Sequence, residues 1–499
     1  MGKDLNDFWR ILLILAPIFL VGTLIVNAVI HWTYIENYLY YGLNLTASTI
    51  AALLAIAIIL ISAIFAFIFY REYRSFTQNE NRMERIENKN VRQIMTKITA
   101  LLVILLILGS FGTMIYGFSL WDHRFYTEGP YLTYANDQDP ATEITICWRT
   151  TTPSTSVVRY GTSIDELSEI VTSEGRVIHH HVFLNDLLPN TVYYYEVESQ
   201  DFGIKEFQTA PMRGQPAEFT FTLWADPRTN NHYTTAVSQP NINAYMAEEL
   251  ATSGTRQAFS IAIGDISDTG PSFETWAMYL KDICTSDFAS NASNVIAVGN
   301  HEHHADPEGR YFRDYFPYQQ GNFSFVYGHL YVLVLNIFDY EEGKWYDVNF
   351  PQEQFEWAKQ DLEAHADIPF KIIAIHPSPI NRGEFTTGGH HGNISTELLY
   401  LCSNYGVDAL FTGHSHHYAV YELDGTHFIK IGIGGNANRY PWHYDGSEND
   451  VTRAGGSVLA SGGEDTGWLR VDMTPTQMHI RPIMIDGTEY PGYTLNATS

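Results

Sequence analysis

The sequence predicts a multi-domain chain in three parts: an α-helical transmembrane segment, a small all-β sandwich and a larger α/β domain. Three observations predict it. Long uncharged apolar runs are confined to the first 121 of 499 residues. Short strand-like runs separated by turn residues follow, up to about residue 212. Beyond that point continuous apolar strands alternate with helical stretches. At 45% apolar residues the chain has the material for packed cores, and it is too long for one ordinary domain.

The first part, residues 1–121, contains uncharged runs at 11–30, 47–70 and 98–121. Each is long enough to cross a hydrocarbon core of about 30 Å. Arg71, Arg74, Arg82, Arg85, Lys89, Arg92 and Lys97 crowd the second connection, whereas 31–46 holds no Lys or Arg. Short cytoplasmic loops retain such residues, so the basic loop and the N-terminus, with Lys3 and Arg10, are expected inside and everything after Asp122 outside. A cleavable signal peptide fits poorly, because two further apolar runs follow the first. The spans hold no charged residue that would serve a conduit, so anchoring in the lipid bilayer is the economical reading.

From residue 122 onward there are 49 acidic against 20 basic residues. Such a surface repels polyanions and argues against nucleic acid as a partner; its plain reading is a solvated acidic exterior. Three cysteines, Cys147, Cys284 and Cys402, allow at most one internal disulfide, so the cores must carry the stability. Sequons at Asn44, Asn291, Asn322, Asn393 and Asn496 suit an exported chain.

Residues 122–212 form the second part. The runs EITICWRT, SVVRYG, HHVFLNDL, TVYYYEVES and KEFQTAP are separated by Pro, Gly, Asn and Asp clusters at sandwich-like spacing. Cys147, Trp148, Tyr193 and Tyr195 read as core or face residues, and no catalytic constellation is visible. The third part, 213–485, carries the apolar runs FTFTLWAD, FSIAIGD, NVIAVGN, YVLVLN, KIIAIH, ALFTGH and FIKIGIGG, with helical stretches at 243–251, 273–283, 352–365 and 395–404. Strands apolar throughout and flanked by helices describe a sheet covered on its faces. A tail, 486–499, follows.

The polar residues of interest stand at the C-terminal ends of those strands, where open α/β sheets bind ligands. They are Asp226 in ADPR, Asp265 in GDISD, Asn300 and His301 in GNHE, His376 in IAIHP, and His414 and His416 in GHSH. A lone GNHE or GHSH is commonly a turn with a satisfied histidine. Five strand ends in succession, supplying two carboxylates, an amide and, besides His301, three imidazoles, point instead to a metal centre of borderline or hard character. Gly264, Gly299 and Gly413 precede three of these clusters and allow close approach. In an extended segment, His414 and His416 would face the same way while Ser415 turns aside.

The ordered set Asp226, Gly264-Asp265, Gly299-Asn300-His301-Glu302, His376 and Gly413-His414-Ser415-His416 resembles the calcineurin-like metallophosphoesterase superfamily. The upstream segment, with SVVRYG, HHVFLNDLLPNTVYYYEV and FQTAP, looks like the fibronectin-III-like N-terminal domain of purple acid phosphatases. The resemblance spans roughly 131–485. It implies a four-layer αββα domain holding two metal ions, drawn from Fe, Zn or Mn. Asp265 would bridge both, Asp226 and His416 would complete one site, and Asn300, His376 and His414 the other. His301 resembles the family's proton donor, with Glu302 orienting it. His390 and His391 in TGGHHGN resemble a phosphate-contacting loop, with solvated histidines as the competing account. His417 reads as a supporting or rim residue.

Two departures stand out. Coloured purple acid phosphatases carry a tyrosine three residues after the bridging aspartate; here that position is Asp268, so a colourless protein is expected. Many superfamily members place a histidine two residues after the first aspartate; here it is Arg228, which would steady phosphate through its fork of donors or pair with an acid. The Asp226-side metal thus has fewer recognisable ligands, and whether Asp268 compensates is left open by the sequence.

The resemblance implies a phosphoesterase that hydrolyses phosphate monoesters by attack of a metal-bound hydroxide, with His301 as proton donor, and the apolar runs and loop charges place it as membrane-anchored and extracytoplasmic. The same site would suit diesters or pyrophosphates, because the ligands do not encode the leaving group. A catalytically silent surface binding module is the alternative from a different class. The substrate and the oligomeric state are not encoded in these motifs.

Overall fold

The computed structural model describes residues 127–497 apart from 136–137, 199, 228–241, 267–275, 277–278, 281–282, 285–286, 306–308, 318–321, 337–351, 380–391, 435–450, 453–454 and 462–465. The three apolar runs lie outside the described residues, as do Arg228, Asp268, His390 and His391. Among the described residues no helix is long and apolar enough to cross a membrane.

The N-terminal strands are β1 (Glu128–Thr133), β2 (Ile144–Gly161), β3 (Glu169–Leu184), β4 (Val192–Val197) and β5 (Lys205–Gln208). EITICWRT and SVVRYG read as separate runs, but the structure joins them in one strand of 18 residues. Its ladder with β3 shifts register between Arg149 and Ser156. Pro153 lies within this irregularity, where a residue without an N–H breaks no ladder bond. His180 clamps the bend from β3. Its ring stacks on Trp148 at 4.5 Å, Nδ1 lies 2.8 Å from Ser156 Oγ and Nε2 3.0 Å from Thr150 Oγ1. The first half of β2 pairs with β1 and the second with β4.

The remaining strands are β6 (Phe219–Trp224), β7 (Gln257–Ile263), β8 (Ser293–Ala297), β9 (Phe323–Tyr327), β10 (Leu330–Leu335), β11 (Phe370–Ile375), β12 (Ala409–Thr412), β13 (Tyr418–Leu423), β14 (Thr426–Ile431), β15 (Ser457–Ser461), β16 (Gly467–Met473), β17 (Gln477–Met484) and β18 (Tyr493–Asn496). The helices are α1 (Ile242–Ser253), α2 (Phe288–Asn291), α3 (Asn300–Ala305), α4 (Arg310–Tyr315), α5 (Gln352–Ala364) and α6 (Gly392–Tyr405).

The strands build two sheets. One runs β18-β17-β16-β6-β7-β8-β1-β2-β4-β5, with β3 on β2; the other runs β15-β13-β14-β12-β11-β10-β9. Strands β8, β10, β11 and β12 are buried along their whole length, as their largely apolar sequences lead one to expect. Phe259 on β7 meets Phe325 on β9 edge to face at 5.3 Å, so the sheets face one another. Helix α1 covers the first sheet, anchored by Arg470 of β16 to Glu249 at 2.6 Å. Helices α5 and α6 cover the second, where Tyr331 of β10 stacks on His365 and Phe355 meets Tyr400. The order is helix, sheet, sheet, helix.

Two features go beyond the three-part reading. In the N-terminal domain β1 pairs in parallel with β8 at Leu132 and Ser293 and carries the first sheet across the domain boundary. Residues 486–499 are not merely a tail: β18 pairs antiparallel with β17 and buries Leu495. Asn322, read as a sequon, is engaged in the fold; its side-chain oxygen accepts from the N–H of Asn336 and from Gln354.

Candidate metal centre

The ends of β6, β7, β8, β11 and β12 converge. Asp226 follows β6, Asp265 follows β7, Asn300 and His301 open α3 after β8, His376 follows β11, and His414 and His416 follow β12. The hydrogen-bonding continues past the strand ends before the chain turns. The Asp226 N–H donates to Gly264 O at 3.1 Å and the Gly413 N–H to His376 O at 3.0 Å.

Asp265, His376 and His414 present ligand atoms within 4.8 Å of one another; so do Asp226, Asp265 and His416. Asp265 belongs to both groups. In the first, His376 Nε2 lies 3.1 Å from Asp265 Oδ1 and 3.2 Å from Asn300 Oδ1, which is 2.9 Å from His414 Nδ1. In the second, His416 Nε2 lies 3.3 Å from Asp226 Oδ1. Four-coordinate or six-coordinate ions with bonds of about 2.1 Å hold their donors about 3.0 to 3.4 Å apart, so these separations fit. The buried Asp226 Oδ1 receives no hydrogen bond among the described residues, which is the condition of a ligand awaiting a cation. The donor set of carboxylate, amide and imidazole suits borderline divalent or ferric ions.

The backbone is strained where the ligands sit. Asp226, Asp265 and His414 have φ of 58°, 52° and 66°, in the left-handed region that costs a residue with a side chain about 1–3 kcal/mol. What holds them there is visible. The His414 N–H donates to Asp226 Oδ2 at 2.8 Å, and the His301 N–H donates to Asp265 Oδ1 at 3.0 Å. The surroundings also exclude side chains: a Cβ on Gly299 would stand 2.2 Å from Asp265 N, and one on Gly413 would stand 2.6 Å from Asp226 Oδ2.

This geometry replaces the alternation argument for His414 and His416. The segment is not extended. The Ser415 N–H reaches Gly413 O at 2.7 Å and the His417 N–H reaches Ser415 O at 2.6 Å, so two tight turns send the imidazoles to different donor groups. His417 is buried rather than at a rim. Glu302 acts on backbone: its Oε2 accepts from the N–H groups of Asp265, at 2.8 Å, and Gly299, at 2.9 Å. Sequence reasoning assigned it to His301 and missed this tie between the β7 and β8 loops. It also passed over Gly434, whose N–H donates to Ala225 O at 2.8 Å and links the β14 end to that of β6; the glycines of FIKIGIGG were the available signal.

Because a carbonyl only accepts, the 2.8 Å contact between His376 Nδ1 and Ile263 O puts a proton on Nδ1 and turns Nε2 toward the other donors. Burial acts to lower the His376 pKa, but the Asp265 carboxylate overrides it and raises it to about 9. His301, whose side chain is 22% exposed, places Nε2 3.7 Å from Asp265 Oδ2.

Strand ends, paired donor groups that share Asp265 and helix-sheet-sheet-helix layering describe a candidate two-metal centre. Residues 128–222 match the purple acid phosphatase N-terminal domain, and 237–418 match calcineurin-like phosphoesterases. Purple acid phosphatase 15 and purple acid phosphatase 23 of Arabidopsis thaliana are each 25% identical, over 52% and 54% of this chain. The chain spans about half the length of the first, 54%, and 67% of the second. The structure of purple acid phosphatase PPD1 from yellow lupin seeds shares the fold, with a TM-score of 0.56, 16% identity and 74% of each chain covered. The two matched segments follow one another in the order N-terminal domain, then phosphoesterase domain.

Proposed function

We propose that the chain is a membrane-anchored phosphoesterase that hydrolyses phosphate monoesters outside the cytoplasm. The observation that carries the catalytic part is the pair of donor groups sharing Asp265, with His301 beside them. Asp226, Asp265 and His416 would hold one ion, and Asp265, Asn300, His376 and His414 the other. Two such ions supply Lewis acidity and neutralise the charge on the phosphate oxygens.

The chain's own groups do the rest. Asp265 fixes both halves of the site through its shared carboxylate. His301, whose Nε2 stands 3.7 Å from Asp265 Oδ2, holds a proton and passes it to the departing ester oxygen. Its partial exposure leaves room for that oxygen to approach. The strained turns at Asp226, Asp265 and His414 keep the ligands in place before substrate arrives. The three apolar runs and the basic 71–97 connection support the anchor and its orientation.

The test is hydrolysis by the full chain, loaded with Fe, Zn or Mn, across monoesters, diesters and pyrophosphates. Monoester turnover is expected to lead. A folded, metal-loaded chain inert toward all three classes would overturn the catalytic reading. Protease added outside intact cells should cut beyond residue 121; cleavage only after the membrane is opened would overturn the placement.

A further inference from the structure

The strand that delivers Asn300 and His301 has the N-terminal domain for its outer neighbour. In the first sheet the order is β6, β7, β8 and then β1. The chain around β8 is gripped before and after it. On the entry side, Tyr195 OH donates to Ser290 O in α2 at 2.8 Å, and Lys205 Nζ meets Asp287 Oδ1 at 2.6 Å. On the exit side, Tyr131 OH donates to Tyr315 O at the end of α4. The His179 ring stands edge-on to the Tyr315 ring at 4.6 Å, and the Tyr131 ring meets Phe316 at 5.7 Å. Tyr131 and Tyr195 are both fully buried.

The grip is one-sided with respect to the site. Segment 287–316 contains Asn300, His301 and Glu302. Among the described residues, the strands that deliver Asp226, His376, His414 and His416 have no pairing to the N-terminal domain: β6 lies between β16 and β7, and β11 and β12 belong to the other sheet. Two buried hydroxyls therefore bear on the segment that carries Asn300 and His301 and not on the strands that deliver Asp226, His376, His414 and His416.

We propose that the N-terminal β-domain is a positioning part of the active centre, acting through Tyr131 and Tyr195 on segment 287–316 to set the place of Asn300 and His301. This rests on the phosphoesterase reading above. Neither tyrosine touches the reacting atoms. Removing either hydroxyl takes away one buried hydrogen bond between the N-terminal domain and the backbone of this segment and loosens that end of it, while both rings stay in the core. Proton delivery to the leaving oxygen then suffers more than ion binding or substrate binding, because it depends on where His301 stands.

The test uses the full chain loaded with zinc, as wild type, as Tyr131→Phe/Tyr195→Phe, and as Tyr195→Phe alone in case the double variant does not fold. Two substrates are compared, p-nitrophenyl phosphate, whose leaving group needs little protonation, and glycerol phosphate, whose alkoxide needs it. The expected result is a kcat at least tenfold lower on glycerol phosphate, a loss within about threefold on p-nitrophenyl phosphate, and KM within twofold on both. Equal losses on both esters, or none in the folded variants, would overturn the proposal. A second readout does not need turnover: the labelled His301 ring signal, assigned by its loss in His301→Gln, should shift or broaden in the tyrosine variants. An unmoved signal overturns positioning even if the wild type proves inactive, whereas an inactive wild type with a moved signal overturns only the phosphoesterase reading.

Discussion

Replacing Glu302 by alanine removes a single carboxylate oxygen that accepts two backbone N–H groups, from Asp265 at 2.8 Å and Gly299 at 2.9 Å. Glu302 is buried, so water does not replace it freely. Hydrogen bonds to a charged partner contribute about 1.5–3 kcal/mol each, so the variant loses about 3–6 kcal/mol. A folded unit of roughly 370 residues unfolds with an entropy of about 0.8 kcal/mol/K, which converts that loss to about 4–8 °C in Tm. Glu302→Gln, which offers an amide oxygen in the same place, should lose about half as much. Thermal unfolding of the metal-free chain by circular dichroism reads the shift without interference from ion binding. A Glu302→Ala variant within about one degree of wild type would refute the backbone role assigned here.

His301→Ala should cut kcat by about 10²–10⁴-fold on alkyl phosphates while elemental analysis finds the ions retained; unchanged turnover would remove its role as proton donor. Gly413→Ala puts a Cβ 2.6 Å from Asp226 Oδ2 and 2.7 Å from Ile263 O, and overpacking of this kind costs about 1–3 kcal/mol. It should lower the ion count at the Asp226 and His416 group, and an unaltered count would contradict the close packing described. In the metal-free chain His376 is raised from 6.5 to about 9. Its ion pair with Asp265 therefore stabilises the fold fully below the lower value and fades as pH rises through the upper one. A cation must displace that proton, so uptake at about pH 7.5 should release about one proton from His376. Calorimetry in buffers of different ionisation enthalpy counts it, and zero release would contradict the pairing.

The site was legible in sequence because it is built at strand ends. Apolar runs such as KIIAI and NVIAV declare buried strands, and a polar residue directly after each can only lie at the sheet's edge. Helices at 352–364 and 392–405 were legible from their spacing, within a few residues. Hydrogen bonds between distant loops were not. Nothing in GNHE distinguishes a glutamate that orients its neighbour from one that ties Asp265 to Gly299, because the partner lies 37 residues away. The left-handed His414 was hidden for a related reason: the bond from its N–H to Asp226 spans 188 residues. The joining of β1 to β8 was invisible because EGPYLT is short and Pro130 reads as a breaker. Pro153 split β2 on paper, since its tolerance depends on a bulge that His180 braces from another strand.

Metal content of the purified full chain, beside Asp265→Asn, tests the central claim most directly. With Asp265 shared by two donor groups, about two transition-metal ions per chain are expected in the wild type and a loss from both groups in the variant. A folded wild-type chain that takes up no ion from Fe, Zn or Mn, or a variant that keeps both, would contradict the account.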